Sequence, residues 1–313
     1  MIVITGATGR LGALIVDRLL ERIPSEWVGV SVREPGRADA LAARGVRVRR
    51  GDFTDPATLA EAFEGATQVL LVSVNAVGPE KVAQHTAAID AAVDAGAKRV
   101  LYTSHQGAGP DSRFAPMVDH AATERYLATL GTPFTALRNG YYANTIPLLF
   151  GQAMNTGELV APADGPVSWT EHADLAEAAA LALTDVGRFD GPTPPLTSPQ
   201  LLDLEQVAAV FTELTGRTVR RVVVDDDEWV ARMITQGVPE ARARPCCSAC
   251  FRRRAAASSQ SPTPRWVNCS AARPNPCART WPKPWPERAF SAARRSGARR
   301  RWGLARVPGG SCR

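Results

Sequence analysis

The sequence predicts an α/β protein with a doubly wound parallel sheet, a small carboxyl-terminal α/β lid subdomain and a basic tail of low order. Three observations support this prediction. The chain opens with a strand, a glycine-rich turn and a helix; strand-like and helical segments then alternate; and the composition changes abruptly near Pro245. Repeated strand-helix units predict parallel strands, because each helix returns the chain to the same edge of the sheet.

The opening stretch MIVITGATGRLGALIVDRLLER contains glycines at G-x-x-G-x-x-G spacing between an apolar strand and an amphipathic helix. Backbone amides at a helix N-terminus bind a pyrophosphate when no side chain blocks the approach, and the third glycine lets helix and strand pack closely. An ordinary turn also favours glycine, but this position favours a Rossmann-type dinucleotide site. The residues predicted to bind the dinucleotide here are Gly6, Thr8, Gly9, Arg10, Leu11 and Gly12.

Further alternation predicts a Rossmann core over residues 1–150. Apolar runs indicate the strands, and segments rich in alanine, leucine and glutamate indicate the helices between them. Predicted strands lie at 27–32, 46–53, 68–74, 99–104 and 134–139, and predicted helices include 56–65 and 85–97.

The end of the second strand predicts the choice of cofactor. A carboxylate there favours NAD by binding a ribose hydroxyl, whereas this chain has Arg33 with Arg37 close by. A guanidinium group matches a 2′-phosphate, so NADPH is the expected cofactor and NADH the alternative. Glu34 argues against this assignment, and Arg33 as an ordinary solvated charge is the other interpretation.

Residues after the next strands are expected to complete the cofactor site. Asp52 and Phe53 follow the third strand and either contact the adenine or form a surface turn. Small or hydroxyl residues follow the fourth and fifth strands, where the ribose and nicotinamide of a dinucleotide pass, although such residues also favour turns. They are Ser73, Val74, Thr103 and Ser104.

Residues 151–245 are predicted to form the lid subdomain, with an extension of the sheet. A proline-rich join at 191–200 precedes a helical pattern at 201–216, a strand-like segment at 217–224 and the acidic stretch DDDEW at 225–229. Acidic residues stabilise a helix N-terminus, so a helix start is favoured there over a metal site. No metal site is predicted in the chain.

Several motifs together carry a family resemblance. ITGATGRLG, SVREP, GDF, LYTS, DHAATERYL (119–127) and LRNGYYAN (137–144) resemble the NmrA-like branch of the atypical short-chain dehydrogenase/reductases, in particular its bacterial quinone oxidoreductases and triphenylmethane reductases. The likeness runs in order from Met1 to about Arg244. It implies a Rossmann domain under a small lid, NADPH as reductant and quinone-like small molecules as acceptors.

The wider superfamily passes a proton to a carbonyl from a Tyr-x-x-x-Lys helix, a pair that this chain lacks. At the corresponding place His120 and Glu124 lie four residues apart, on one helical face. Either His120 lines the nicotinamide pocket, oriented by Glu124 and able to donate a proton, or the pair only stabilises the helix. An electron-poor acceptor suits a site without the tyrosine and lysine, because a reduced quinone is a stabilised aryloxide.

Residues just after the predicted strand at 134–139 are candidates for binding this acceptor. Asn139 offers an amide to hold an oxygen, and Tyr141 and Tyr142 offer aromatic faces for stacking. The alternative is a packed aromatic corner with a structural role.

The tail, residues 246–313, differs from the rest of the chain. It carries a net charge of +14 against −8 for residues 1–245, and it contains all six cysteines. CCSACFRRR at 246–254 lacks the second C-x-x-C or the histidines of a zinc site. The arginines are scattered without periodicity among proline, serine and alanine, so specific nucleic-acid binding is not expected.

Out-of-frame translation of a GC-rich coding region explains this composition. Back-translating 257–285 and moving the frame by one nucleotide gives EFAVTDPTLGELLGRPPEPVREDVAEAV as one consistent solution. That string is amphipathic and resembles the carboxyl-terminal end of the same reductase family. The tail is therefore interpreted as frame-shifted.

Two function classes follow from the sequence. The first is a cytoplasmic NADPH-dependent oxidoreductase that acts on a quinone or similar conjugated acceptor. The second is a non-catalytic NADP(H)-binding redox sensor of the NmrA type that acts through a protein partner. No membrane span is predicted, because no apolar run reaches the roughly 18–20 residues needed. A monomer and a homo-oligomer are both compatible with the sequence.

Overall fold

The computed structural model describes residues 1–112, 114–187, 189–238 and 240. Its centre is a seven-stranded sheet in which every neighbouring pair is parallel. In the order in which they lie across the sheet, the strands are β10 (Gly191–Pro192), β6 (Phe134–Asn139), β5 (Arg99–His105), β4 (Gln68–Leu71), β1 (Ile2–Thr5), β2 (Val28–Val32) and β3 (Arg47–Arg50). The predicted doubly wound parallel sheet is confirmed.

Helices cover both faces of this sheet. Alternate strand residues point to opposite faces, so Ile2 and Ile4 pack with one helical layer and Val3 with the other. The first layer contains α1 (Arg10–Leu20) and α8 (His172–Thr184). The second contains α3 (Ala57–Phe63), α4 (Pro79–Asp94) and α5 (Ala115–Thr129).

The remaining elements lie around this core. Two further pairs of strands are parallel, β7 (Tyr141–Tyr142) with β9 (Trp169–Thr170) and β8 (Glu158–Ala161) with β11 (Arg220–Val223). The other helices are α2 (Asp39–Ala42), α6 (Thr145–Phe150), α7 (Ala153–Thr156), α9 (Leu204–Thr215) and α10 (Asp226–Thr235), with 3₁₀ turns at Ser25–Trp27 and Pro35–Ala38.

Residues beyond 150 also contribute to the central sheet and its layers. Strand β10 pairs with β6, and the apolar face of α8 packs in the same cluster as α1. The interpretation of 151–245 as a lid subdomain with a sheet extension stays a prediction. The division of the chain at residue 150 stays a prediction.

The acidic stretch at 225–229 begins α10, as predicted. The Asp225 side chain accepts a hydrogen bond from the Glu228 amide at 2.8 Å and caps the helix. Trp229, Val230 and Met233 are the buried residues of this helix. The carboxylates therefore stabilise a helix N-terminus, where the macrodipole favours negative charge.

The predicted end of the fourth strand is replaced by side-chain contacts. Strand β4 ends at Leu71 although the apolar pattern runs to Val74. Beyond it, the Val72 amide donates to Thr5 Oγ1 at 2.9 Å and the Ser73 amide donates to Thr103 Oγ1 at 2.8 Å. Threonine hydroxyls thus satisfy the amides that a longer strand would pair, and the chain turns into a loop.

None of the described helices is long and apolar enough to cross a membrane. The predicted basic tail at 246–313, with its cysteine cluster, lies outside the described residues.

Arg99 is expected to contribute strongly to stability. Its buried guanidinium donates to Ala182 O at 2.7 Å, to Thr135 Oγ1 at 2.6 Å and to Phe189 O at 3.2 Å, and so joins β5 to β6 and α8. Arg99→Met should lower the free energy of unfolding by about 3 kcal/mol, because buried acceptors lose a charged donor. Urea unfolding measures this change. Arg125→Met, at an exposed position of α5, is the control, and equal effects of the two variants would contradict the assignment.

Candidate active site

A cavity of about 540 Å³ opens at the carboxyl ends of β1, β2, β3 and β4. This is where the strand order reverses, with β2 on one side of β1 and β4 on the other. Ligands of open parallel sheets bind at such a switch point. Eight of the residues predicted to bind the cofactor line this cavity: Gly6, Thr8, Gly9, Arg33, Asp52, Phe53, Ser73 and Val74.

The glycine turn forms one wall and is shaped by backbone contact. Gly6 has a φ of +62°, which side-chain-bearing residues rarely adopt. A Cβ on Gly12 would lie 2.2 Å from the Gly6 carbonyl oxygen, so only glycine fits at position 12. Gly9 precedes α1, and no side chain in the described part of the chain caps the helix. Its first amides therefore remain available to an anion at the cavity.

The other residues predicted in this turn lie off the cavity wall. Leu11 and Gly12 are buried, Leu11 in the apolar cluster beneath α1, while Arg10 is exposed. Leu11 and Gly12 therefore fix the position of the helix. Burial, and secondly the charge of Arg10, lower the pKa of His172 at the start of α8.

Two arginines line the cavity beyond β2. Glu34 pairs with Arg37 at 3.7 Å, an exposed contact. Arg33 is exposed and makes no hydrogen bond with the described residues. The carboxylate that argued against NADPH in the sequence is thus engaged by Arg37, and the Arg33 guanidinium remains available.

Asp52 forms a turn and also lines the cavity, and its contact with an adenine stays a prediction. Its Oδ1 accepts from the amide and the hydroxyl of Thr54, at 2.9 and 2.8 Å. These bonds, with the charges of Arg33 and Arg50, lower the pKa of Asp52 despite some burial. The carboxylate is ionised near neutral pH, and its Oδ2 has no partner among the described residues. Phe53 beside it is half-buried.

Two buried side chains accept hydrogen bonds from the loop after β4. Thr103 lies beneath the cavity wall, where its hydroxyl accepts from the Ser73 amide. The Val74 amide donates to Nε2 of the buried His85 at 3.2 Å. Thr103 thus supports the wall that Ser73 and Val74 form and is not itself part of it.

His120 is buried in α5 and is not among the residues that line the cavity. Its Nδ1 lies 2.7 Å from the Tyr102 hydroxyl oxygen, and its Nε2 lies 3.3 Å from Lys81 Nζ. Burial, and secondly the Lys81 charge, hold the pKa of His120 well below its usual value, so the ring is neutral.

Glu124 does not orient His120, and that hypothesis is wrong. Its Oε1 accepts from Ser104 Oγ at 2.6 Å and from Arg138 Nε at 3.0 Å, while Oε2 accepts from Arg138 Nη2 at 2.6 Å. A neutral imidazole cannot compete with a bidentate guanidinium for a buried carboxylate. Glu124 and Ser104 therefore join α5 to the ends of β5 and β6, and neither lines the cavity.

None of the three residues proposed to bind the acceptor lines this cavity. Asn139 is buried. The Tyr141 ring meets His105 edge-on with centroids 4.5 Å apart, whereas the Tyr142 ring lies 4.4 Å from the His172 ring. Adjacent strand residues point to opposite sides, so the two tyrosine rings lie on opposite sides of β7.

Sequence reasoning missed three buried polar residues next to the site: Lys81, His85 and Tyr102. Helix α4 starts at Pro79, six residues before the helix predicted at 85–97, so that prediction leaves Lys81 outside the helix. The four-residue spacing of Lys81 and His85 puts both on one helical face, a signal that could have found them.

The sheet topology, the glycine turn and the cavity define a Rossmann-type dinucleotide-binding protein. The model of the NmrA-like family matches residues 1–246, and the chain belongs to this family. Quinone oxidoreductase 2 of Escherichia coli (strain K12) is 34% identical over 243 residues, which cover 77% of this chain and 83% of that protein.

Solved structures agree with this assignment. An NADPH-dependent quinone oxidoreductase from Escherichia coli, complexed with NADPH, superposes with a TM-score of 0.75 at 33% identity, covering 83% of this chain and 89% of that one. Triphenylmethane reductase from Citrobacter sp., complexed with NADP(H), gives a TM-score of 0.76 at 30% identity, covering 84% and 93%.

Replacing Gly12 is expected to damage the dinucleotide site. In Gly12→Ala the new methyl group meets the Gly6 carbonyl, and relieving that overlap should cost about 1–3 kcal/mol of stability and move α1 away from the cavity. Titration with NADPH should show binding weakened by at least about tenfold. Gly36→Ala is the matched control, because a Cβ there meets no atom within 4 Å. Unchanged NADPH binding by Gly12→Ala would show that this close approach is unimportant.

Proposed function

We propose that the protein is an NADPH-dependent oxidoreductase that transfers a hydride to a quinone or a similar conjugated small molecule. The observation that carries the proposal is the cavity at the switch point, which joins the N-terminus of α1 to Arg33, a residue without a hydrogen bond or ion pair to the described residues. The similarity to an NADPH-dependent quinone oxidoreductase and to a triphenylmethane reductase supports an oxidoreductase with this cofactor.

The residues of the cavity fit NADPH. The Gly6 turn and the first amides of α1 suit a pyrophosphate, and Arg33 suits a 2′-phosphate. Phe53 and Asp52 suit an adenine, through stacking and acceptance of a hydrogen bond at Oδ2. Bound NADPH supplies the hydride, and the protein supplies proximity and orientation.

The acceptor side follows from what the chain lacks. Without a Tyr-x-x-x-Lys pair, an unactivated ketone has no such donor for its developing alkoxide. A quinone gives a stabilised aryloxide, so its reduction needs less help from an acid. We also propose that Tyr141 and Tyr142 make aromatic contacts with a flat acceptor.

Turnover tests this proposal directly. Purified protein should oxidise NADPH only when a quinone is added, and an NADPH titration on the same sample should show saturable binding. The rate is measured, for each quinone of a small panel, as the decrease of NADPH absorbance with time. Tight binding without turnover on any acceptor would reject the enzyme and favour a sensor of the redox state.

Arg33 tests the cofactor preference. In Arg33→Ser the dissociation constant for NADPH should rise by at least about tenfold, since a charge-assisted contact to phosphate contributes 1.4 kcal/mol or more. NADH lacks the 2′-phosphate, so its dissociation constant should change less than about twofold. Arg125→Ser, exposed on α5, is the control. Equal weakening for both nucleotides would contradict the assignment of Arg33 to the 2′-phosphate.

A further inference from the structure

Residues 73–78, which we name the cavity strap, lie between β4 and α4. Strand β4 ends at Leu71, so the strap lies outside the strand pairs of the central sheet. Four residues of the strap line the cavity: Ser73, Val74, Asn75 and Ala76. The shape of this wall therefore depends on the contacts that other elements make with the strap.

Buried side chains from two helices accept hydrogen bonds from the strap on both sides of its middle. The Val74 amide donates to His85 Nε2 on α4 at 3.2 Å, and the Gly78 amide donates to Asp119 Oδ2 on α5 at 2.8 Å. His85 and Asp119 are 0% and 6% exposed. Residues 75–77 between these two points make no hydrogen bond with the described part of the chain. Their position is therefore determined by the two anchors, His85 and Asp119.

The contact with the Val74 amide fixes the position of the proton on His85. A backbone amide only donates, so Nε2 is the unprotonated nitrogen and the neutral ring carries its proton on Nδ1. This Nδ1 lies 3.1 Å from Thr123 Oγ1 and 3.3 Å from the Tyr102 hydroxyl oxygen, and both oxygens can accept. Burial, and secondly the Lys81 charge, lower the pKa of His85 to about 3. The ring therefore keeps its accepting form near neutral pH.

Thr123 links the two anchors. Its hydroxyl accepts from His85 Nδ1 and donates to the backbone carbonyl of Asp119 at 3.0 Å. The His85 ring is thus joined to the same turn of α5 that carries the Asp119 carboxylate. Helices α4 and α5 together hold the strap, and a change at either anchor is expected to alter its position.

We infer that His85 and Asp119 are positioning residues that hold the cavity strap in the arrangement that binds NADPH. The inference rests on the proposed function, because it assigns this cavity to NADPH. Neither anchor is among the residues that line the cavity, so each acts through Asn75 and Ala76. Without an anchor the strap populates further arrangements, and the apparent affinity falls with the fraction that is competent to bind.

Two substitutions of His85 test its two ring nitrogens separately. In His85→Gln the side-chain amide oxygen reaches the place of Nε2 and accepts from the Val74 amide, whereas the shorter side chain of His85→Asn replaces only Nδ1. The dissociation constant for NADPH should rise by at least about tenfold in His85→Asn and by less than about threefold in His85→Gln. Titration of NADPH, followed by its fluorescence, measures both.

The second anchor allows the same comparison. Asp119→Asn keeps an oxygen that accepts from the Gly78 amide, whereas Asp119→Ala removes it. The dissociation constant for NADPH should rise by at least about fivefold in Asp119→Ala and by less than about threefold in Asp119→Asn. Asp94→Ala, which removes an exposed carboxylate at the end of α4, is the control and should leave NADPH binding unchanged.

Two further readouts separate positioning from a loss of stability. Val207→Ala on α9 removes buried methyl groups, so it should lower the melting temperature without changing NADPH affinity. In His85→Asn the KM for NADPH should rise while kcat at saturating NADPH stays within about twofold, because a filled site has already selected the competent arrangement of the strap. Thermal unfolding of each variant checks that it is folded.

Hydrogen exchange tests the strap without turnover. Peptides that cover 73–78 should exchange faster in His85→Asn than in the wild type, and NADPH should slow their exchange in the wild type. Equal NADPH affinity in His85→Asn and the wild type, or an equal loss in His85→Asn and His85→Gln, overturns the inference while the proposed function stands. A wild type that binds NADPH but reduces no quinone rejects the enzyme, and the titrations still decide the role of the anchors. If the wild type does not bind NADPH, both fail.

Discussion

The close approach of α1 to β1 is the contact on which the site depends. Because Gly12 has no side chain, the helix starts directly over the Gly6 carbonyl, and its uncapped amides face the cavity. The same placement lets the apolar face of α1 pack against α8 and the sheet. A single steric requirement thus determines both the position of the anion-binding amides and the packing of one helical layer.

The second requirement is that polar groups buried under the cavity find partners. Two separate networks meet it. One links Lys81, His120, Tyr102 and His85, and the other links Glu124 to Arg138 and to Ser104. Each joins α5 to the ends of the central strands, and the first also reaches α4. Satisfied networks of this kind hold strand-end loops in one arrangement, which a site for a flat cofactor and acceptor needs.

Much of the fold followed from periodicity, and the early end of one strand has its cause in contacts with residues distant along the chain. The first strand and helix agree with their apolar patterns, because tertiary packing uses the same faces that the patterns display. Strand β4 ended early because the hydroxyls of Thr5 and Thr103 took the amides of its last predicted residues. Such a contact joins residues about 30 or more positions apart, and no local pattern records it.

The sequence by itself determined the doubly wound sheet, the glycine turn and the arginine after β2, because each depends on residue type at short spacing. Only the tertiary structure decided the hydrogen-bond partners of His120 and Glu124. Both lie on one face of α5, but Glu124 meets Arg138 while His120 meets Tyr102 and Lys81. The partners come from other strands and helices, and partner choice in a buried layer follows from charge and geometry that spacing along the chain does not contain.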